Sequence, residues 1–248
     1  MGGTMYAVAG GKGGVGKTTT ALNLAAAFET GGTDTAVVDA DLEMTNLGDL
    51  AGIDNEHSVH DVLSGRATVE EATVEGPGGV TVLAGEDNID AVRRAETARL
   101  RDVFHTLRTN HETVVADTGA GLTHAALVPY GLADGVVMVT TDNEVAALDV
   151  AKTAEMVREV DGTVLGVVVT RTSEGTDADA TADTVGEPLL ESVPEAPDVA
   201  GEEPMVLTAP GSGPAQAYQL LAGSVEAAGG PAHEGESSGK RVRSPTQD

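Results

Sequence analysis

The sequence predicts a three-layer α/β fold, a mostly parallel, twisted sheet of about seven strands with helices on both faces. Three observations predict it. Apolar runs of strand length alternate with amphipathic stretches of helix length along residues 5–227. Several of the short runs, such as Val136–Thr140 and Val164–Thr170, are apolar at successive positions, as strands covered on both faces must be. A glycine-rich turn follows the first run directly, where an open α/β sheet binds its ligand.

Each element follows in chain order. Met5–Ala9 is the first strand. Lys17–Glu29 is a helix, because Leu22, Leu24, Ala25, Ala26 and Phe28 give it an apolar side and Gly31 and Gly32 stop it. Strands over Ala36–Ala40, Val80–Leu83 and Thr113–Ala116 come next. Between the last two, Ile89–Thr109 reads as one long helix that buries Leu100, Val103, Phe104 and Leu107. A helix over Leu122–Tyr130, a strand over Val136–Thr140 and a helix over Val145–Val160 continue the alternation. After the strand Val164–Thr170, residues 172–185 read as an acidic, weakly patterned surface insertion. Leu189–Val193 is the last strand and Ala215–Ala227 the last helix. Residues 1–228 are thus expected to be one domain. Residues 229–248, rich in Gly, Pro, Ser and acid, are expected to be a disordered tail.

Composition narrows the function. Asp and Glu total 40 against 14 Lys and Arg, for a net charge of −26. The acids are spread along a regularly patterned chain, which resembles the hydrated surfaces of proteins from salt-in halophiles and disfavours non-specific nucleic-acid binding. There is no cysteine, which excludes disulfides and thiolate-held iron–sulfur clusters. No stretch reaches the ~18 apolar residues of a membrane span, and no secretory segment opens the chain, so a soluble, cytoplasmic protein is expected.

Gly11 to Thr18 spell G-x-x-x-x-G-K-T, the pattern of a phosphate-cradling P-loop, which makes the expected architecture a P-loop three-layer fold. The chain has four lysines, and Lys12 and Lys17 both lie in this loop. Gly11, Lys12, Gly13, Gly14, Val15, Gly16, Lys17, Thr18 and Thr19 are therefore the expected nucleotide-binding residues. Backbone N–H groups, a helix N-terminus and two ammonium groups suit a polyphosphate, and the Thr18 hydroxyl suits Mg²⁺. The same stretch also reads Gly11-x-Gly13-x-x-Gly16 followed by Asp39, a dinucleotide fingerprint. That alternative leaves Lys17 and Thr18 without a use.

Two strands end in acids. Asp117 closes Thr113–Ala116 and is the expected carboxylate beside Mg²⁺, followed by the turn Thr118 to Gly121. Asp39 and Asp41 close Ala36–Ala40, and strand alternation puts both on one side at the carboxyl edge. They serve metal and water there, or one is solvated and the other caps a loop. Arg94, Arg101 and Arg108 recur every seven residues and would line one side of the long helix, as a solvated face or as a docking site for an acidic partner or a phosphate backbone. Histidines 57, 60, 105, 111, 124 and 233 do not fall at metal-ligand spacing.

These residues together resemble the MinD/ParA family of ATPases. Lys12 ahead of Gly13–Thr19 is similar to its deviant Walker A motif, Val38–Asp41 to its switch I, and Asp117–Gly121 to its switch II. Val137–Glu144 resembles the following strand and loop, Val167–Arg171 the segment beside the adenine, and Ala209–Ala222 the closing loop and last helix. The resemblance implies ATP and Mg²⁺ as ligands. It places Thr170, Arg171 and Pro210 at the nucleotide, with Thr18, Asp39 and Asp117 around the metal. Lys12, Lys17 and Asp41 become the catalytic set: Lys17 acts in its own subunit, Lys12 reaches across an ATP-state homodimer, and Asp41 orients the water. A MinD-like positioning switch is implied, with an unidentified protein partner recruiting it to cell poles or membrane. ParA-like DNA segregation, or a scaffold that hardly hydrolyses ATP, is the alternative. Two departures stand out: Gly119 replaces the usual switch II proline, and Thr170 the usual asparagine. The basic cluster at Lys240, Arg241 and Arg243 is too short for a membrane-lying helix, so autonomous membrane binding is not expected.

Overall fold

A computed structural model describes residues 2–120 and 124–229. Eight strands form one sheet: β1 (Thr4–Ala9), β2 (Thr35–Ala40), β3 (Val74–Glu75), β4 (Thr81–Leu83), β5 (Thr113–Thr118), β6 (Gly135–Thr141), β7 (Val164–Thr172) and β8 (Leu189–Pro194), in the spatial order β3-β4-β2-β5-β1-β6-β7-β8. All pairings are parallel except that of the short edge strand β3 with β4. The seven expected strands are all present, and β3 is the addition. Its two residues are too few to leave a periodic signal.

Alternation along β1 sorts the core into two layers. Tyr6 and Val8 face α1 (Lys17–Thr30) and α11 (Gly213–Gly229), packing against Leu22, Phe28, Tyr218 and Leu221. Met5 faces the other layer with Val114 and Ala116, against α3 (Val59–Leu63), α4 (Val69–Ala72) and α6 (Leu100–Asn110). Ala7 and Ala9 meet α7 (His124–Leu132), α8 (Glu144–Glu159) and α9 (Ala178–Val185) on that same side. The remaining helices are α2 (Leu47–Ala51), α5 (Ile89–Arg94) and α10 (Met205–Thr208). The last helix runs to Gly229, past the expected end of the domain at 228. The tail beyond it, with Lys240, Arg241 and Arg243, lies outside the described residues, as do Gly121 and the start of the helix expected from Leu122.

Two expectations need correction. The long helix over Ile89–Thr109 is broken: Ala95 is extended (φ −66°, ψ 122°), the Glu96 N–H donates to Leu63 O at 3.3 Å, and a 3-10 turn over Thr97–Arg99 precedes α6. Arg94 therefore does not share a helix with Arg101 and Arg108. Arg108 is also not a solvated cation. It donates to Gly3 O (2.8 Å), Leu132 O (3.2 Å) and Asp134 Oδ2 (2.9 Å), fastening α6 to the first strand and to the end of α7. Second, residues 172–185 are not a featureless insertion. Asp177 accepts from the Ala180 N–H at 3.0 Å and caps α9, which buries Thr181, Ala182 and Val185 as the crossover between β7 and β8. Its core-facing residues are small, so its apolar pattern is faint.

Candidate active site

The carboxyl ends of β1, β2 and β5 lie side by side at the centre of the sheet, and the candidate residues converge there. After Ala9 the chain loops through residues 10–16 into α1. Gly16, the residue before the helix, is left-handed (φ 94°, ψ 23°), a conformation that a side chain resists. Among the described residues no side chain caps the helix, and its first turn carries no acid, so its leading N–H groups remain available to an anion. They border a cavity of about 290 Å³ lined by Gly13, Gly14, Gly16, Lys17, Thr18, Thr19, Asp41, Glu43, Met44, Asn46, Ala120 and Arg171.

The loop is held from two sides. A Cβ on Gly11 would lie 2.6 Å from the Asp149 backbone carbon, so α8 seats the loop at van der Waals contact. The Thr170 hydroxyl is shared between Val15 O (2.7 Å) and Thr140 O (3.0 Å), bridging the loop to β6 and β7. The two lysines differ in placement. Lys17 is buried and lines the cavity, whereas Lys12 is exposed and does not. Among the described residues Lys12 forms no ion pair.

Asp39 and Asp117 are opposite each other in the β2–β5 register, and both are buried. Asp39 accepts from the Asp41 N–H (3.2 Å) and the Leu47 N–H (3.4 Å). Among the described residues neither Asp117 oxygen has a hydrogen-bond partner. Burial pushes the Asp117 carboxyl up to about 7; nearby Thr18 and Lys17 pull it down, and Asp41 pushes it further up. Burial first, and then the charge of Asp117, raise Asp39 well above the usual carboxylate range. The Thr18 hydroxyl donates to Asn46 Oδ1 at 2.8 Å, so its proximity lowers the Asp117 value without satisfying that carboxylate by a well-formed bond. Asp41 does not share the environment of Asp39. β2 ends at Ala40, alternation stops there, and Asp41 lines the cavity while its Oδ1 accepts from the Met44 N–H at 3.1 Å.

Residues 6–204 match the CobQ/CobB/MinD/ParA nucleotide binding domain. The chain belongs to this family. An uncharacterized ATP-binding protein of Methanocaldococcus jannaschii is 34% identical over 224 residues, 87% of this chain and 85% of that one. The crystal structure of the cell division ATPase MinD of Pyrococcus furiosus aligns with a TM-score of 0.84 and 30% identity, covering 91% of this chain and 99% of that one. The septum site-determining protein MinD of Pyrococcus horikoshii, complexed with Mg-ADP, aligns with a TM-score of 0.85 and 29% identity, covering 92% and 97%.

The departures from the MinD/ParA pattern have physical correlates. At Gly119 a Cβ would come within 3.1 Å of Asp41 Oδ1, so the turn after β5 lies in close approach to the turn after β2. At Thr170 the hydroxyl is committed to the P-loop backbone. A second cavity of about 410 Å³ opens beside the loop, lined by Thr19, Thr170, Arg171, Pro194, Glu195 and Tyr218 among others. Arg171 borders both cavities from a left-handed backbone (φ 56°), a strained choice for a residue with a side chain. Pro210 is exposed and lines neither.

Sequence reasoning missed two supports of this MinD/ParA site. Asn46 holds the Thr18 hydroxyl. Asn23 on α1 donates to Thr19 O (2.9 Å) and to Glu203 Oε2 (2.6 Å), and accepts from the Val206 N–H (3.1 Å), tying the P-loop helix to the far wall of the second cavity. Neither Asn46 nor Asn23 stands in a recognisable motif; each is legible only through its partner.

Proposed function

We propose that this chain is a MinD-like ATPase that binds MgATP, hydrolyses it slowly and dimerises in the ATP state. The observation that carries this reading is the split between the two P-loop lysines. Lys17 faces the cavity of its own subunit from a buried position, and Lys12 stands outside that cavity on the surface. A cation that does not serve its own nucleotide is placed to serve a second subunit's.

The triphosphate would lie along the P-loop, its charge met by the N-terminus of α1 and by Lys17, with Arg171 at the rim. The residues present suit Mg²⁺. Asp117 supplies two buried oxygens without hydrogen-bond partners among the described residues, Thr18 a hydroxyl beside them, and Asp39 a second carboxylate, an all-oxygen donor set of the kind a hard cation takes. Bound there, the cation neutralises charge on the β- and γ-phosphates. Asp41 lies at the cavity with one oxygen held by the Met44 N–H, and its other oxygen would orient a water toward the γ-phosphate. Thr170 and Arg171 edge the second cavity and would border the base, and Pro210 would join them only by movement of its turn.

Nucleotide-dependent association makes the chain a switch rather than a metabolic catalyst. The similar MinD structures are of cell division and septum site-determining proteins, and positioning of a cellular structure through a protein partner is the role we infer, with the chain cytoplasmic and recruited to its site of action. DNA segregation is less favoured, because Arg108 is consumed by structural contacts and Arg94 is displaced from its side. Sedimentation with and without ATP tests the reading. A dimer that forms with ATP and not with ADP is expected, and a monomer under both conditions contradicts it.

A further inference from the structure

His60, on α3, touches neither cavity described above and is completely buried. Its two ring nitrogens make two bonds. Nε2 lies 2.9 Å from Leu42 O, and Nδ1 lies 3.2 Å from the Glu86 N. A carbonyl only accepts and a backbone N–H only donates. The two partners therefore demand a neutral ring with its proton on Nε2 and a lone pair on Nδ1. Leu42 is the residue after Asp41, and its side chain is buried in the same cluster as Val59 and Leu63 of α3.

The helix that carries the imidazole is itself anchored. Ser58 and Asp61 form a reciprocal cap, with Ser58 N–H donating to Asp61 Oδ2 (3.0 Å) and Asp61 N–H to Ser58 Oγ (3.3 Å). The Val59 N–H donates to Ala84 O at 2.8 Å, fixing the start of α3 to the end of β4. The turn after β2 has local bonds of its own, from the Asp41 and Leu47 N–H groups to Asp39 and from the Met44 N–H to Asp41, but none of these engages the Leu42 carbonyl. Asp41 hangs between the end of β2 and a Met44 that is 76% exposed.

We propose that His60 is a positioning residue for hydrolysis: its Nε2–H clamps the Leu42 carbonyl, and so fixes the backbone on which Asp41 is presented to the attacking water. This rests on the ATPase reading above. Misplacing a water-orienting carboxylate slows the chemical step and leaves nucleotide affinity, which the P-loop supplies, untouched. Loss of the clamp thus acts on kcat and spares KM.

The test compares ATP turnover and ATP affinity of the wild-type protein with His60→Phe, which fills the space without either bond, and His60→Gln, which keeps a donor for Leu42. His60→Phe is expected to lose kcat on the order of tenfold or more with KM and Kd nearly unchanged, and His60→Gln to recover most of the loss. Equal turnover in all three, or a Phe variant whose loss lies in affinity, overturns the proposal. Long-range ¹H–¹⁵N spectra of the wild-type imidazole decide independently of whether the variants fold. A ring protonated at Nε2 is required, and a ring protonated at Nδ1 alone overturns the clamp. A wild-type chain that binds ATP but never turns it over contradicts the ATPase reading instead, a result distinct from either.

Discussion

Asp39 and Asp117 sit directly across from one another on neighbouring parallel strands, both buried, with no hydrogen bond to either oxygen of Asp117 among the described residues. Two carboxylates in one buried place destabilise the ligand-free fold. Lys17 offsets part of that cost at Asp117, and a bound cation would offset more.

The pair sets a pH dependence. The folded Asp117 carboxyl is raised to about 7, above its value in an unfolded chain, and Asp39 is raised too. Stability from such groups is fully present below the ordinary carboxylate range and is lost as pH rises through the folded value. Without Mg²⁺ and nucleotide, thermal stability at fixed salt is expected to fall as pH rises from about 4 toward 7. Asp117→Asn should flatten that fall and stabilise the ligand-free chain at pH 8 by roughly 1–3 kcal/mol, while weakening Mg²⁺-dependent nucleotide binding. Calorimetric melting against pH, with and without MgATP, checks both halves.

The two P-loop lysines should separate cleanly. Lys17→Ala removes a buried cavity-lining cation and is expected to weaken ATP binding by tenfold or more, since each ~1.4 kcal/mol is a factor of ten. Lys12→Ala should leave monomer affinity within about threefold, abolish turnover, and weaken ATP-dependent association in a way that higher protein concentration restores. Fluorescent-nucleotide titration and sedimentation measure the two effects.

Thr170→Val is close to isosteric and deletes one hydroxyl. It leaves the Val15 carbonyl without the bond made at 2.7 Å. A buried carbonyl so orphaned costs about 1–3 kcal/mol. The expected result is a lower melting temperature together with weaker nucleotide binding, because the loop that loses its brace is the one that holds phosphate. Melting and titration curves on the same variant test the coupling.

Arg108→Ala should read as a structural lesion. Three bonds join Arg108 to Gly3, Leu132 and Asp134, and their loss is expected to cost about 1–3 kcal/mol. Any retention of DNA by the wild-type chain should survive the change at a temperature where the variant is folded. Gel-shift and melting measurements distinguish this outcome from a phosphate-docking role.

The central elements were legible because their signals are local. Consecutive apolar positions betray a doubly covered strand, and the G-x-x-x-x-G-K-T spacing around Lys17 marks the turn that leads from β1 into α1. The misses share a different cause. The break at Ala95 depends on a bond from Glu96 to Leu63, more than thirty residues away in the chain, and nothing in the periodicity of Leu100, Val103 and Leu107 announces it. α9 was hidden because Ala182 and Thr181 bury too little to make a pattern. The roles of Asn46, Asn23 and His60 are relational: each is set by the residue it meets across the fold. Asp39 and Asp41 look equivalent in sequence and diverge only because β2 ends between them.

Mixing Lys12→Ala with Asp41→Ala tests the central claim most directly. Each variant alone is expected to be inactive. If Lys12 serves the partner's nucleotide while Asp41 serves its own, a mixed dimer contains one complete site, assembled from the Asp41 of one subunit and the Lys12 of the other. Equimolar mixing should then restore turnover to about a quarter of the wild-type rate, since half the dimers are mixed and each has one working site of two. No recovery on mixing, with both variants shown to bind ATP and associate, would contradict a lysine that acts across the interface.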